Sequence, residues 1–263
     1  MPELTHEITV DAPPVEPFTL VANVTAAPQY FPTHLHAEVV RRESAERDLV
    51  ERWVIDAGAV RGWRLWRTVD EARFTITFEH ERPKPPLTSM RGSWSFTPAG
   101  TGGTLVRATH SFEVADADPT SVARIAENLD KNVPVQLKGI AKLVGRIGRL
   151  REQTVTSEHS AVVAGAPEKL YNLAVLGETN DERIWSRALL PDLRIVYKLR
   201  EGLPAELYAS TGQYRFREAG EGTEVTVRRA VTLTGEADGA AVAAAQAHLD
   251  HEVKRQLEGF AAA

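Results

Sequence analysis

Two stretches of this chain carry the same pattern, and such an internal repeat bounds the fold to tandem copies of one unit. "NLDKNVPVQLKGIA" (Asn128 to Ala141) and "HLDHEVKRQLEGFA" (His248 to Ala261) share LD, V, QL, G and A in register, 120 residues apart. Upstream, "WSFTPAGTGGTLVRATHSFEV" from Trp94 parallels "YRFREAGEGTEVTVRRAVTL" from Tyr214 at nearly the same offset. The beginnings also correspond, "HEITVDAPPVEPFTLVANV" from His6 with "HSAVVAGAPEKLYNLAVLG" from His159, but there the offset is 153. The second copy is therefore shorter by about 33 residues, lost where the offset changes, between Ala174 and about Arg183. The missing piece corresponds to "PQYFPTHLHAEVVRRESAERDLVERWVI", a loop and two expected strands.

Each unit opens with a short strand and a Pro-initiated helix, "APPVEPFTLVANV" in the first copy. Period-two runs of β-branched and aromatic residues follow and predict several strands. A long helix closes the unit, from about Pro119 to Leu150. Asp118 is its expected N-cap, and Val122, Ile125, Leu129, Val133, Leu137, Ile140, Val144 and Ile147 recur at spacing three and four. Pro134 falls inside it and is expected to kink it. The fold class is thus α+β: tandem units, each a curved antiparallel sheet around a long C-terminal helix, with a cavity between sheet and helix. The expected boundaries are 1–150 for the complete unit, 151–160 for a linker and 161–263 for the shortened repeat.

Composition removes several function classes. With 31 basic against 36 acidic residues, net −5, and no basic stripe, the chain has no nucleic-acid footprint and no patch for anionic membranes. Zero cysteines exclude disulfides, thiolate catalysis and zinc–sulfur sites, and fit a cytoplasmic location. No apolar run approaches the roughly 18 residues needed to span a bilayer.

The heptapeptide "RGWRLWR" (Arg61 to Arg67) reads as a strand. Its odd face carries Arg61, Trp63, Leu65 and Arg67, and its even face Arg64 and Trp66. Together with "MRGSWSF" (Met90 to Phe96), "GGTLVRATHSFEV", the "NLD" of the closing helix and the order of elements, it resembles the START-like, helix-grip superfamily. More specifically, it is similar to the di-domain aromatase/cyclases of bacterial type II polyketide synthases. That resemblance implies a cofactor-independent cyclase/dehydratase acting on a poly-β-ketone presented by an acyl carrier protein. First-ring aldol condensation is followed by aromatisation, with a ketosynthase and a ketoreductase as pathway partners. The β-carbonyls supply their own acidity and electrophilicity, while the protein folds the chain, stabilises the oxyanion and excludes water.

The resemblance places Trp63 and Arg67 on the cavity side of the strand, with Leu65 standing where the family carries a serine. Arg67 would hydrogen-bond an enolate or polarise a carbonyl; the bland alternative is a rim arginine paired with Glu79 or Glu81. Ala27 replaces an aromatic wall residue, and His34 matches a tyrosine. His34 is a candidate acid or base, or part of an exposed "THLH" loop (Thr33 to His36). His34 and His36 lack a third ligand, so no metal is expected. Gln136 matches an asparagine directed at the cavity, Trp94 a wall residue, and Tyr30 and Phe31 the lip. Arg61 is expected near the mouth, and Trp66 and Arg64 on the outer face, where the second unit or a sister chain in a homodimer would cover them.

In the second unit the counterpart of Arg67 is Arg187 or Ala188, depending on where the gap closes. A smaller cavity and a scaffold or dimerisation role are expected there. The alternative for the whole chain is a non-catalytic binder of a hydrophobic ligand, or a protein that shields a polyketide; a decayed paralogue is a third reading.

Overall fold

A computed structural model describes residues 1–56, 58–177, 181 and 184–262. The first half runs through β1 (Glu3–Val10), α1 (Val15–Ala22), a 3-10 turn (Val24–Ala26), α2 (Ala27–Tyr30), β2 (His34–Arg42), β3 (Arg47–Asp56) and β4 (Ala59–Asp70). It continues with β5 (Thr75–His80), β6 (Leu87–Ala99), β7 (Gly103–Val114), α3 (Pro119–Leu143) and α4 (Ile147–Glu152). The second half holds β8 (Thr154–Ala164), α5 (Pro167–Val175), β9 (Trp185–Leu190), β10 (Arg194–Leu199), β11 (Leu207–Ala219), β12 (Gly222–Leu233) and α6 (Gly239–Ala261). One sheet has the order β1-β7-β6-β5-β4-β3-β2 and the other β8-β12-β11-β10-β9. The two orders superimpose strand for strand, and the second stops where the counterparts of β3 and β2 would follow. Part of the segment where the repeat offset changes, including Arg183, lies outside the described residues.

The closing helix is shorter than its apolar period predicts. Asp118 caps it through Thr120 N and Ser121 N, but α3 ends at Leu143, because Val144 is extended and Gly145 takes φ +75°. Ile147 and Leu150 belong instead to the separate α4. Pro134 sits within α3 without ending it. Residues 151–160, read as a linker, are the end of α4 and the start of β8.

Compactness divides the chain into two units that are not contiguous in sequence. The first comprises 1–27, 37–52 and 62–147, and the second 28–36, 53–61 and 148–263. Within the second unit, Leu35, Trp53, Ile55 and Val60 pack with Ala188, Leu190 and Val196. Two short segments of the first half thus stand in for sequence the second copy lost. Lys198 fastens one of them: its buried ammonium donates to the carbonyls of Pro28, Phe31 and His34 at 2.7, 2.8 and 3.1 Å.

The repeat extends to individual contacts. The His6 ring meets Asp130 at 2.9 Å in the first unit, and the His159 ring meets Asp250 at 2.6 Å in the second. This staple of first strand to closing helix explains the shared LD. Thr104 donates to the Ala12 carbonyl as Thr223 does to that of Gly165. Edge-to-face rings recur as Phe18 on Phe96 and Tyr171 on Phe216. Gly92 leaves the space in which Phe78 lies, since a Cβ there would stand 2.7 Å from that ring; Gly212 does the same for Tyr197.

Candidate active site

The first unit encloses a cavity of about 310 Å³ between its sheet and α3. Its wall is built by strand parity and helical spacing. On β4, Trp63, Leu65 and Arg67 face inward, as period two requires. β3 adds Val50 and Arg52, β5 adds Ile76, Phe78 and His80, and Trp94 comes from β6. Strand register sets the rows: Leu65 lies opposite His80, and Arg67 opposite Phe78. Phe78 in turn is opposite Gly92, and Gly92 opposite His110. From α3, Asn128, Asn132 and Gln136 reach the cavity at successive turns and line it with amides.

Arg67 is buried and held at three points. Its Nε and Nη2 donate to the two carboxylate oxygens of Asp48 at 2.9 and 2.8 Å, and Nη1 donates to the Ala22 carbonyl at 3.0 Å. The carboxylate partner is therefore Asp48, on the neighbouring strand, and not Glu79 or Glu81. Three of the five guanidinium N–H groups are occupied, which leaves two to meet a ligand oxygen. Arg52 is a second cation in the wall, its guanidinium 5.3 Å from the Trp63 ring. Burial, and then the charge of Arg67, push its pKa down to about 10.

Two imidazoles complete the wall. Burial, followed by the charge of Arg52, lowers His80 to about 4. His110 also falls to about 4, through burial first and then the charges of His6, His80 and Arg52. Both are neutral at physiological pH. His80 stacks on Trp63 with centroids 5.9 Å apart, and His110 meets Phe78 edge-on at 5.4 Å. The Nδ1 of His110 is buried and has no hydrogen-bond partner among the described residues.

Of the residues singled out from sequence, the cavity gathers Arg67, Gln136, Trp63, Leu65 and Trp94. It does not gather His34, Tyr30 or Phe31, which belong to the second unit. His34 is no exposed loop residue: it begins β2, is buried, and meets Phe31 edge-on at 5.1 Å. Tyr30 and Phe31 are core rather than lip, and Tyr30 accepts a hydrogen bond at its carbonyl from Tyr208. Arg61 is exposed and pairs with Asp56 at 3.0 Å. On the outer face Arg64 pairs with Glu51 at 2.9 Å. Trp66 is half-buried, with the guanidiniums of Arg41 and Arg47 over its ring at 4.5 and 4.9 Å. Arginines of β2 and β3, in its own sheet, therefore cover it.

Asp48, Arg52, His80, His110, Asn128 and Asn132 are the functional candidates that sequence reasoning passed over. The alternation "RDLVERW" and the four-residue spacing of Asn128, Asn132 and Gln136 carried the signal for four of them. His80 and His110 face the cavity through pairings between strands, which a linear reading does not contain.

In the second unit the register resolves the open choice: Tyr197 lies opposite Arg187 as Phe78 lies opposite Arg67. Arg187 donates to the Val175 carbonyl at 2.6 Å, and Val175 is the repeat counterpart of Ala22. The cavity there is not smaller; it measures about 670 Å³.

Residues 1–145 match the family model described as polyketide cyclase / dehydrase and lipid transport. The chain belongs to that family. A curated relative, the granaticin polyketide synthase bifunctional cyclase/dehydratase of Streptomyces violaceoruber, is 40% identical over 138 residues, which is 52% of this chain and 42% of the relative. The actinorhodin polyketide synthase bifunctional cyclase/dehydratase of Streptomyces coelicolor is 34% identical over 142 residues, 54% of this chain and 43% of its own length. This polyketide cyclase family member thus spans less than half the length of those two relatives. Among solved structures, the di-domain ARO/CYC BexL from the BE-7585A biosynthetic pathway superimposes with TM-score 0.71 at 24% identity over 99% of this chain and 97% of that one. The di-domain ARO/CYC StfQ from the steffimycin pathway does so with TM-score 0.65 at 23% identity, covering 98% of each chain. These likenesses establish the tandem helix-grip fold. No described helix is long and apolar enough to cross a membrane.

Proposed function

We propose that the first unit is a cofactor-independent aromatase/cyclase, which closes the first ring of a carrier-bound poly-β-ketone and dehydrates it. The observation that carries this reading is the fixed guanidinium of Arg67 at the wall of an aromatic-lined cavity, with Arg52 as a second cation and two neutral imidazoles. A methylene between two ketones loses its proton, and the resulting enolate oxygen gains stabilisation from Arg67 and Arg52. His110, neutral and with an unpartnered Nδ1, serves as the group that receives the proton. The carbanion carbon attacks a distal ketone carbon, forming the ring bond, and the alkoxide takes a proton back. Loss of a second methylene proton and of hydroxide as water, followed by enolisation of the remaining ring ketones, yields the aromatic ring. Trp63, Phe78 and Trp94 flatten the chain, and the amides of Asn128, Asn132 and Gln136 offer donors to its carbonyls.

The apolar share of the wall, including Val21, Val24, Leu65, Ile76 and Leu129, also suits a carrier that only shields its ligand. Reconstitution separates the two. The chain is added to a ketosynthase and acyl carrier protein that build a poly-β-ketone. A catalyst replaces the spontaneous mixture with one aromatic product; an unchanged product mixture overturns the reading.

A further inference from the structure

The second unit's cavity differs from the first in kind as well as in size. Repeat register aligns their walls: His110 lies opposite Gly92 on the first sheet, and Arg229 opposite Gly212 on the second. On the closing helices, Glu252 takes the place of Asn132, and Gln256 that of Gln136. An imidazole and an amide have become an ion pair, Arg229 Nη1 to Glu252 Oε2 at 2.7 Å, with the arginine side chain only 14% exposed. Its Nε is buried without a hydrogen-bond partner among the described residues. Aromatic surface stands in the same cavity: Trp185, where the first unit has Leu65, meets Tyr197 edge-on at 5.4 Å.

Such a wall selects by charge. Arg255, His248 and Glu206 also line the cavity, but at the pair itself Arg229 is already neutralised. An anionic group meeting it would therefore have to displace Glu252, and a cationic group meeting Glu252 would have to displace Arg229. A neutral ligand need do neither if it presents an acceptor to the Arg229 N–H and a donor to the Glu252 carboxylate. The rings of Trp185 and Tyr197 favour a flat body, and about 670 Å³ is in the usual range for a small-molecule site. We propose that the second unit holds a ligand site of its own. It takes a neutral planar molecule with a hydroxyl beside a carbonyl, a phenolic ketone, read by Arg229 and Glu252. This goes beyond the reading of the first cavity and stands without it.

The test is calorimetric titration of the full chain with 1-acetyl-2-naphthol, and with 1-ethylnaphthalene and 1-naphthoate as apolar and anionic comparisons. The Arg67→Met chain identifies any heat that belongs to the first cavity. The proposal expects 1-acetyl-2-naphthol to bind Arg67→Met chain more tightly than either comparison. Arg229→Gln/Glu252→Gln, which leaves no unpaired charge, should weaken it by about tenfold or more without changing the affinity for 1-ethylnaphthalene. Ala245→Phe, which fills the cavity, should abolish that binding, with near-ultraviolet circular dichroism reporting the fold of each variant. Equal affinity for 1-acetyl-2-naphthol and 1-ethylnaphthalene, preference for 1-naphthoate, or unchanged binding in the folded double variant would overturn it.

Discussion

Arg67 and Asp48 form a two-pronged ion pair at 2.9 and 2.8 Å, each side chain less than a tenth exposed. The pair fixes the plane of the guanidinium, so Asp48 acts by positioning. Asp48→Ala leaves a buried cation uncompensated and should destabilise the first unit by about 3–5 kcal/mol. Arg67→Met with Asp48→Leu should return stability close to that of the parent while turnover stays lost. Urea denaturation beside product assay checks both.

His80 and His110 titrate near 4 in the folded chain, below the ordinary 6.5. Between those values the unfolded chain binds more protons, so stability is full above about pH 6.5 and falls as pH drops toward 4. Melting temperature measured from pH 8 to 4 should decline in that window. Replacing both histidines with phenylalanine should flatten the decline. Turnover by the parent should show no inflection at 6.5.

Gly92 and Gly212 are required for space. A Cβ at Gly92 would stand 2.1 Å from the Thr109 carbonyl oxygen, and one at Gly212 would stand 2.1 Å from the ring of Tyr197. Gly92→Ala and Gly212→Ala should each cost about 1–3 kcal/mol, read as a lowered urea midpoint.

Lys198 donates to three carbonyls in a buried setting that pushes its pKa down to about 7. Lys198→Met strands those acceptors and should cost about 3 kcal/mol. Hydrogen exchange should rise at residues 28–36, which the ammonium ties down.

The elements that follow from local pattern were legible in the sequence: the capped closing helix, the inward face of β4, and the duplication itself. What escaped depended on contacts distant along the chain. Asp48 is 19 residues from Arg67; period two puts it on the same face of β3 as Val50 and Arg52, but the linear order does not pair it with Arg67 in preference to Glu79 or Glu81. The apolar period of α3 continues through Ile147, yet Gly145 at positive φ interrupts the helix. The resemblance puts His34, Tyr30 and Phe31, in the stretch after the first helix, at the first cavity. The compact units instead count them with the second half, where Lys198 and Tyr208 hold their backbone.

The most direct test of the central claim is the product profile of Arg67→Met in a reconstituted polyketide synthase, with its fold verified by circular dichroism. The account predicts that the aromatic product falls by at least about a hundredfold, in line with loss of an oxyanion donor, and that shunt polyketides replace it. An undiminished yield of the same aromatic product would contradict it.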